Sequence, residues 1–305
     1  MELHKPLRGV ITAMITPLRG RNELDHAGLE RLIEHLIAGG IHGLFILGTT
    51  GEAPGLSYRL RAELIERACK QVAERLPVIV GITDTAFVEA VGLSATARKF
   101  GARAVVASAP YYFPASQVEL LEYVEHLAAA VPLPLLLYNA PTNTGHTFEP
   151  ATVMRAAAIP NVIGLKDSGG NMTYFHSVVE LLKDRPDFTL LVGPEELLAE
   201  AVLLGGHGGM CGGSNICPQL YVRLYEAAAA RDFEQIRILH SRVMRISTTI
   251  YRVGRYASSY LKGLKCAVSL LGIAEDFMAE PFHNFASQER AKVRQHMVDQ
   301  GLLGG

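Results

Sequence analysis

One lysine in this 305-residue chain stands where an amine can act as a nucleophile. Lys166 follows directly on the apolar run Val162-Ile163-Gly164-Leu165, while the other seven lysines lie near the N-terminus or in charged helical stretches. Burial disfavours an ammonium, and a free amine attacks carbonyl carbon. An imine on Lys166 is the chemistry that this placement favours. An ion pair with the adjacent Asp167 is the plainer alternative.

Hydroxyl groups gather at the ends of neighbouring apolar runs. One run leads into Gly48-Thr49-Thr50-Gly51-Glu52, another into Pro110-Tyr111-Tyr112, and a third into Tyr138-Asn139-Ala140-Pro141. Carbinolamine formation and collapse require proton transfer, which a phenol and a hydroxyl can relay. A 2-oxo acid also needs its carboxylate held. Thr50 and the backbone N–H groups of the Gly48–Gly51 turn can do this without a cation. The segment from Gly205 to Gly213 is rich in glycine. It reads as room for backbone to approach a bound group rather than as a phosphate cradle, with His207 a turn residue.

The elements that would position these groups alternate along the chain. Short apolar runs cover Val10–Thr16, Gly43–Leu47, Val78–Ile82, Ala104–Ala107, Leu135–Tyr138, Val162–Leu165, Thr189–Val192 and Gly208–Gly212. Each is too short for a helix, and together they read as buried parallel strands. Amphipathic stretches such as Leu24–Ala38, Tyr58–Leu76 and Val118–Ala130 lie between them, with Gly or Pro at most joints. Eight such repeats predict an α/β fold, an eight-stranded parallel (β/α) TIM barrel, whose chemistry sits at the C-terminal strand ends. No GxGxxG follows the first run, which counts against a dinucleotide fold. The barrel is expected over residues 1–230. Residues 231–305 are expected to form three extra helices packed on it, over Phe233–Ile250, Tyr256–Leu271 and Gln288–Gly301.

Composition removes other classes. With 29 basic against 30 acidic residues, neither nucleic acid nor an anionic membrane is an expected partner. No apolar run reaches the ~18 residues of a membrane span. The N-terminal residues lack a signal-peptide pattern, so a cytoplasmic location is expected. Cys69, Cys211, Cys217 and Cys266 are scattered, which predicts free thiols and no metal site.

Four of these motifs, in this order and spacing, resemble the dihydrodipicolinate synthase / N-acetylneuraminate lyase family. They are Gly48–Glu52, Pro110–Tyr112, Tyr138–Pro141 with Thr144-Gly145, and Gly164–Asp167. The resemblance covers nearly the whole chain. It implies that Lys166 is a Schiff-base lysine for pyruvate and Tyr138 a general acid/base. Thr49 and Tyr112 would complete a proton relay, the tyrosine coming from a neighbouring subunit. Thr50, beside Gly51, would contact the pyruvate carboxylate, Ser168 the substrate, and Met210 the bound keto acid through its backbone. It further implies no cofactor and a homotetramer built as a dimer of dimers.

One position departs from the synthase pattern. Dihydrodipicolinate synthases carry an arginine two residues after the proline of the Tyr-Asn-x-Pro motif, where this chain has Asn143. An amide cannot replace the charged fork that an arginine offers a carboxylate. Its loss is expected to cost on the order of 2–5 kcal/mol for a second, anionic substrate. The resemblance is therefore expected to be nearer to 4-hydroxy-2-oxoglutarate and sugar-acid aldolases. Those enzymes, however, commonly have Ser-Asn where this chain has Thr49-Thr50. Aldol cleavage of a 4-hydroxy-2-oxo acid to pyruvate and an aldehyde is the leading expectation. Condensation of pyruvate with aspartate semialdehyde is the alternative, and a non-catalytic keto-acid-binding barrel is a third. The Arg252–Tyr256 segment offers substitute cations, or else is a solvated helix end.

Overall fold

The computed structural model describes residues 3–304. Eight parallel strands close into a barrel: β1 (Gly9–Ala13), β4 (Gly43–Ile46), β5 (Val78–Gly81), β6 (Ala104–Ser108), β7 (Leu135–Asn139), β8 (Val162–Asp167), β9 (Thr189–Val192) and β10 (Gly208–Cys211). β1 closes the ring by pairing with both β4 and β10. Two short strands, β2 (Leu18–Gly20) and β3 (Glu23–Leu24), form an antiparallel hairpin after β1 that periodicity did not indicate. The first run ends three residues sooner than expected, because the chain leaves the barrel toward this hairpin.

Helices follow the strands around the outside: α1 (His26–Ala38), α2 (Tyr58–Val72), α3 (Phe87–Lys99), α4 (Gln117–Ala130), the short α5 (Pro141–Thr144), α6 (Pro150–Ala156), α7 (Met172–Leu181), α8 (Leu198–Leu203) and α9 (Pro218–Ala229). Their starts follow side-chain chemistry. Asp25 accepts the Gly28 N–H and so begins α1 two residues later than expected, and Ser57 accepts the Leu60 N–H at the start of α2. Ser116 and Glu119 form a capping box on α4. The α2 helix stops at Val72, four residues short of the expected end, where Ala73 takes a left-handed conformation with φ 47°.

Residues 231–304 give α10 (Phe233–Thr249), α11 (Ser259–Leu270) and α12 (Ser287–Asp299). They are less continuous than expected. Between α10 and α11 runs a 3-10 segment, Ile250–Arg255, broken by an extended Val253 and by Gly254 at φ 80°. The N–H of Tyr256 is taken by the Ser259 hydroxyl, so α11 begins three residues late.

Two apolar layers position the site. Outside the strands, residues such as Val10, Leu44, Val80, Val105 and Leu137 pack against the helices. Inside, Ile11, Phe45, Ile79, Val106, Leu136 and Met210 fill the barrel. Successive residues of a strand point to opposite faces. The inward set therefore continues upward from Leu136 to Tyr138, at the C-terminal end of β7.

Candidate active site

Register brings the lysine and the tyrosine together. Tyr138 on β7 is the direct partner of Lys166 on β8, and Asn139 is the partner of Asp167. Paired residues on neighbouring strands share a face, so Lys166 and Tyr138 both point into the barrel mouth while Asn139 and Asp167 point outward. A one-residue irregularity after the Leu135–Val162 pair sets this alignment. Lys166 lies inside the strand rather than just after it, because the ladder continues through Asp167.

The ion-pair alternative for Lys166 does not describe this geometry. Asp167 accepts instead from Asn139 Nδ2 at 2.8 Å and from the Gly169 N–H at 3.0 Å. Lys166 Nζ sits 4.2 Å from the centroid of the Tyr138 ring and 4.8 Å from that of Phe45, and its side chain is buried. Burial alone does not single it out, since Lys262 and Lys265 are buried too. Lys265 is paired with Glu52, however, and Lys262 lies over the Tyr256 ring in the C-terminal extension.

Tyr138 is hydrogen-bonded across the mouth to Thr49, with 3.3 Å between the hydroxyl oxygens. Burial pushes its phenol upward. The Lys166 charge, together with hydrogen bonds from Thr49, Ser168 and Lys166, outweighs that and holds it below the ordinary tyrosine range. Such a phenol gives up its proton more readily than one in water, as a proton relay needs.

Backbone conformation fixes the turn that bears the two threonines. Leu47 and Glu52, which bracket Gly48–Gly51, are non-glycine residues at φ 58° and φ 56°. Conformations of this kind persist only where surroundings impose them. Here the Gly51 carbonyl accepts from the Thr16 hydroxyl at 2.7 Å, and Glu52 is tied to Lys265 and to the Ala279 N–H. Gly81 makes room for the turn, as a Cβ there would lie 2.1 Å from the Leu47 carbonyl oxygen. Thr50 is buried and faces the Tyr260 hydroxyl at 3.3 Å.

A cavity of about 330 Å³ at the barrel mouth is lined by Thr49, Thr50, Tyr138, Lys166, Ser168 and Met210, and by Glu195, Glu196, Tyr251 and Tyr260. Six residues singled out from the sequence thus share one wall. Asn143, on α5, lines an adjoining cavity of about 250 Å³ with Thr49, Tyr138, Tyr111 and Ser108. Gly51 serves the turn rather than the cavity lining. Tyr112 is not brought in: it is 85% exposed, has φ 88°, and stacks edge-on against the exposed Phe113.

The glycines around β10 make room for side chains. Cβ atoms at Gly212 and Gly213 would fall 1.7 Å and 1.9 Å from the hydroxyls of Tyr260 and Tyr221, so small residues there admit tyrosines. His207 precedes the strand, and its Nδ1 accepts the Leu190 N–H at 2.9 Å.

Glu195, Glu196, Tyr251 and Tyr260 also line the cavity and were not singled out from the sequence. Glu195 and Glu196 follow β9, a strand end that the search for hydroxyls and amines passed over. Tyr251 and Tyr260 come from the extension beyond the barrel, where no local signal points at the mouth. Glu195 accepts from Tyr221 at 2.8 Å, from Tyr251 at 2.7 Å and from the Gly213 N–H at 2.6 Å, and burial pushes its carboxyl upward. The four cysteines are free, and among the described residues no three His, Cys, Asp or Glu side chains gather as a metal site. Among the same residues no helix is long and apolar enough to cross a membrane.

Residues 6–300 match the model of the dihydrodipicolinate synthetase family. The chain belongs to that family. A 4-hydroxy-tetrahydrodipicolinate synthase of Kosmotoga olearia is 32% identical over 297 residues, covering 97% of this chain and 99% of that protein. Among solved structures, a dihydrodipicolinate synthase of Bacteroides thetaiotaomicron is 55% identical, with a TM-score of 0.95 over 97% of this chain and 100% of that one. YagE, a prophage protein of the same family from E. coli K12 solved with pyruvate, is 30% identical with a TM-score of 0.91 over 97% and 99% of the two chains. The family places this chain among class I aldolase-type enzymes that make or break carbon–carbon bonds on a TIM barrel. The synthase names of these relatives do not support the expected closer kinship with sugar-acid aldolases.

Proposed function

We propose that this family member forms an imine between Lys166 and the C2 carbonyl of a 2-oxo acid, and that it cleaves a 4-hydroxy-2-oxo acid reversibly to pyruvate and an aldehyde. The pairing of Lys166 with Tyr138 across adjacent strands carries the reading. Lys166 Nζ attacks C2, and Tyr138 supplies the proton with which the carbinolamine loses water. The protonated imine then takes up the electrons of the C3–C4 bond as Tyr138 removes the 4-hydroxyl proton, and the aldehyde departs. The enamine is protonated at C3, and water returns pyruvate and the free amine.

The remaining groups have supporting roles in this reading. Thr49 relays protons to Tyr138. Thr50 and the N–H groups of the Gly48–Gly51 turn hold the pyruvate carboxylate, and the Met210 backbone borders the keto acid. Ser168 meets the 4-hydroxyl, Asn143 borders the aldehyde half, and Tyr112 of a second copy completes the relay in a dimer of dimers.

A second reading is condensation of pyruvate with aspartate semialdehyde. It is favoured by the synthase names of the relatives at about a third identity and of the structure at 55%. Against it stands Asn143, an amide where that reaction uses a guanidinium. Borohydride reduction with pyruvate should label Lys166, and Lys166→Ala should abolish both label and turnover. A panel of 4-hydroxy-2-oxo acids, run beside pyruvate plus aspartate semialdehyde, then separates the readings. Efficient consumption of the semialdehyde with no pyruvate released from the panel would overturn the cleavage assignment.

A further inference from the structure

A second cavity, of about 600 Å³, adjoins the one at Lys166 and shares three of its lining residues, Glu196, Tyr251 and Tyr260. Its distinctive walls are Arg252 and Arg255, on the 3-10 segment between α10 and α11. Among the described residues neither guanidinium makes a hydrogen bond or an ion pair. Arg61, Arg75, Arg185 and Arg290, by contrast, are each matched to a carboxylate.

The backbone that presents the two arginines is held in place. Gly254 and Arg255 are both left-handed, at φ 80° and φ 58°. A Cβ at Gly254 would come 2.5 Å from the Tyr256 ring, so the bend requires glycine. The Ser259 hydroxyl donates to the Val253 carbonyl at 2.6 Å and accepts the Tyr256 N–H at 2.8 Å, which ties the bend to the first turn of α11. Glu196 is the carboxylate in this wall, and the Ser247 hydroxyl donates to it. Two guanidiniums against one carboxylate leave the cavity net positive.

We infer that Arg252 and Arg255 form an anion-reading subsite for the far end of the aldehyde half, so that the aldehyde carries a carboxylate or phosphate. The inference rests on the imine reading of Lys166. The cation missing at Asn143 is supplied from the C-terminal extension instead, across a cleft whose lining joins Asn143 to Ala257 and Tyr260. A planar guanidinium binds either anion through paired N–H groups. The substrate is then a 2-oxo acid long enough for its anionic tail to leave the Lys166 cavity.

The test uses matched aldehydes with pyruvate: glyceraldehyde against glyceraldehyde 3-phosphate, and butanal against succinic semialdehyde. Wild type should prefer the charged member of at least one pair, and which pair distinguishes phosphate from carboxylate. Arg252→Met with Arg255→Met should raise KM for that charged aldehyde by on the order of ten-fold. The neutral partner and borohydride trapping of pyruvate should be unchanged, and the double lysine variant should recover part of the loss. Raised salt should weaken the charged aldehyde selectively. Equal effects on charged and neutral aldehydes, or no preference in wild type, would overturn the subsite. Failure of wild type to trap pyruvate would instead overturn the imine reading beneath it.

Discussion

Lys166 and Lys265 are both buried lysines, and only their partners tell them apart. Lys265 faces Glu52, whereas Lys166 faces the Tyr138 ring. A lysine over an aromatic face with a relay phenol beside it is placed for nucleophilic attack, and one locked to a carboxylate is placed for support. The two should therefore fail differently. Lys166→Ala should fold normally and lose pyruvate trapping. Tyr138→Phe keeps the ring over Lys166 and removes the proton, so kcat should fall by about 10²–10⁴-fold, the usual worth of a positioned acid/base. Pyruvate should still be trapped, more slowly. A Tyr138→Phe enzyme within a few fold of wild-type kcat would remove the phenol from the mechanism. Lys166 was legible because a lysine at the end of an apolar run is chemically conspicuous. Its partner was legible as a type, a hydroxyl at a strand end, but adjacency follows from register, and the irregularity after Leu135 has no sequence mark.

At the scale of elements, the Gly48–Gly51 turn depends on a glycine three strands from the lysine. Gly81, at the end of β5, leaves the space that the Leu47 carbonyl occupies. In Gly81→Ala the new methyl meets backbone, which cannot rotate away, so the Gly48–Gly51 turn must shift. Overpacking of this kind costs about 1–3 kcal/mol. The expected result is a modest loss of stability with a larger rise in the KM for pyruvate, because Thr49 and Thr50 ride on the displaced turn. Equal KM values for variant and wild type would mean that the turn absorbs the methyl elsewhere. The strands themselves were readable, since β-rich runs between Gly and Pro punctuation have few other uses. Helix ends were less so. Asp25, Ser57 and Ser259 cap or lock them through side-chain hydrogen bonds that periodicity does not register. The hairpin after β1 is too short to show a pattern at all.

At the scale of the whole molecule, a barrel is joined to an extension that reaches back into its mouth. Glu52, at the edge of the Gly48–Gly51 turn, pairs with Lys265 on α11 and accepts the Ala279 N–H at 2.9 Å. Both charged groups are buried, so removing one leaves the other without compensation, at a cost of about 3–5 kcal/mol. Lys265→Met should lower the denaturation midpoint accordingly, and Glu52→Gln in the same chain should restore part of it. A single variant as stable as wild type would show the pair to be dispensable. This join was invisible in the sequence. Residues 231–305 read as helix, and nothing in a helical pattern states that Tyr260 and Lys265 face a strand end some two hundred positions earlier, or that Tyr251 reaches Glu195.

Acid should find a further weakness in the whole fold. His207 lies where β9 meets β10, and its Nδ1 accepts the Leu190 N–H, which a protonated ring cannot do. Burial, reinforced by the Arg8 charge, lowers its pKa from 6.5 to about 4. His35 and His42 are lowered in the same direction, in each case mainly by burial. A histidine depressed in the folded state binds its proton more readily once unfolded. Its stabilisation is complete above pH 6.5 and is lost as pH falls toward 4. Asp167 and Glu195 act in the opposite sense: burial raises both, so their contribution is greatest in acid and is lost as pH climbs through the raised carboxyl range. Over the descent from pH 6.5 to 4 the histidines lower stability while these two carboxyls oppose them. Across that descent the urea midpoint of His207→Gln, whose amide oxygen can accept the same N–H, should drop less than that of wild type. A gap between the two proteins that stays constant from pH 7.5 to pH 4 would clear His207 of the effect and leave His35 and His42 to account for it.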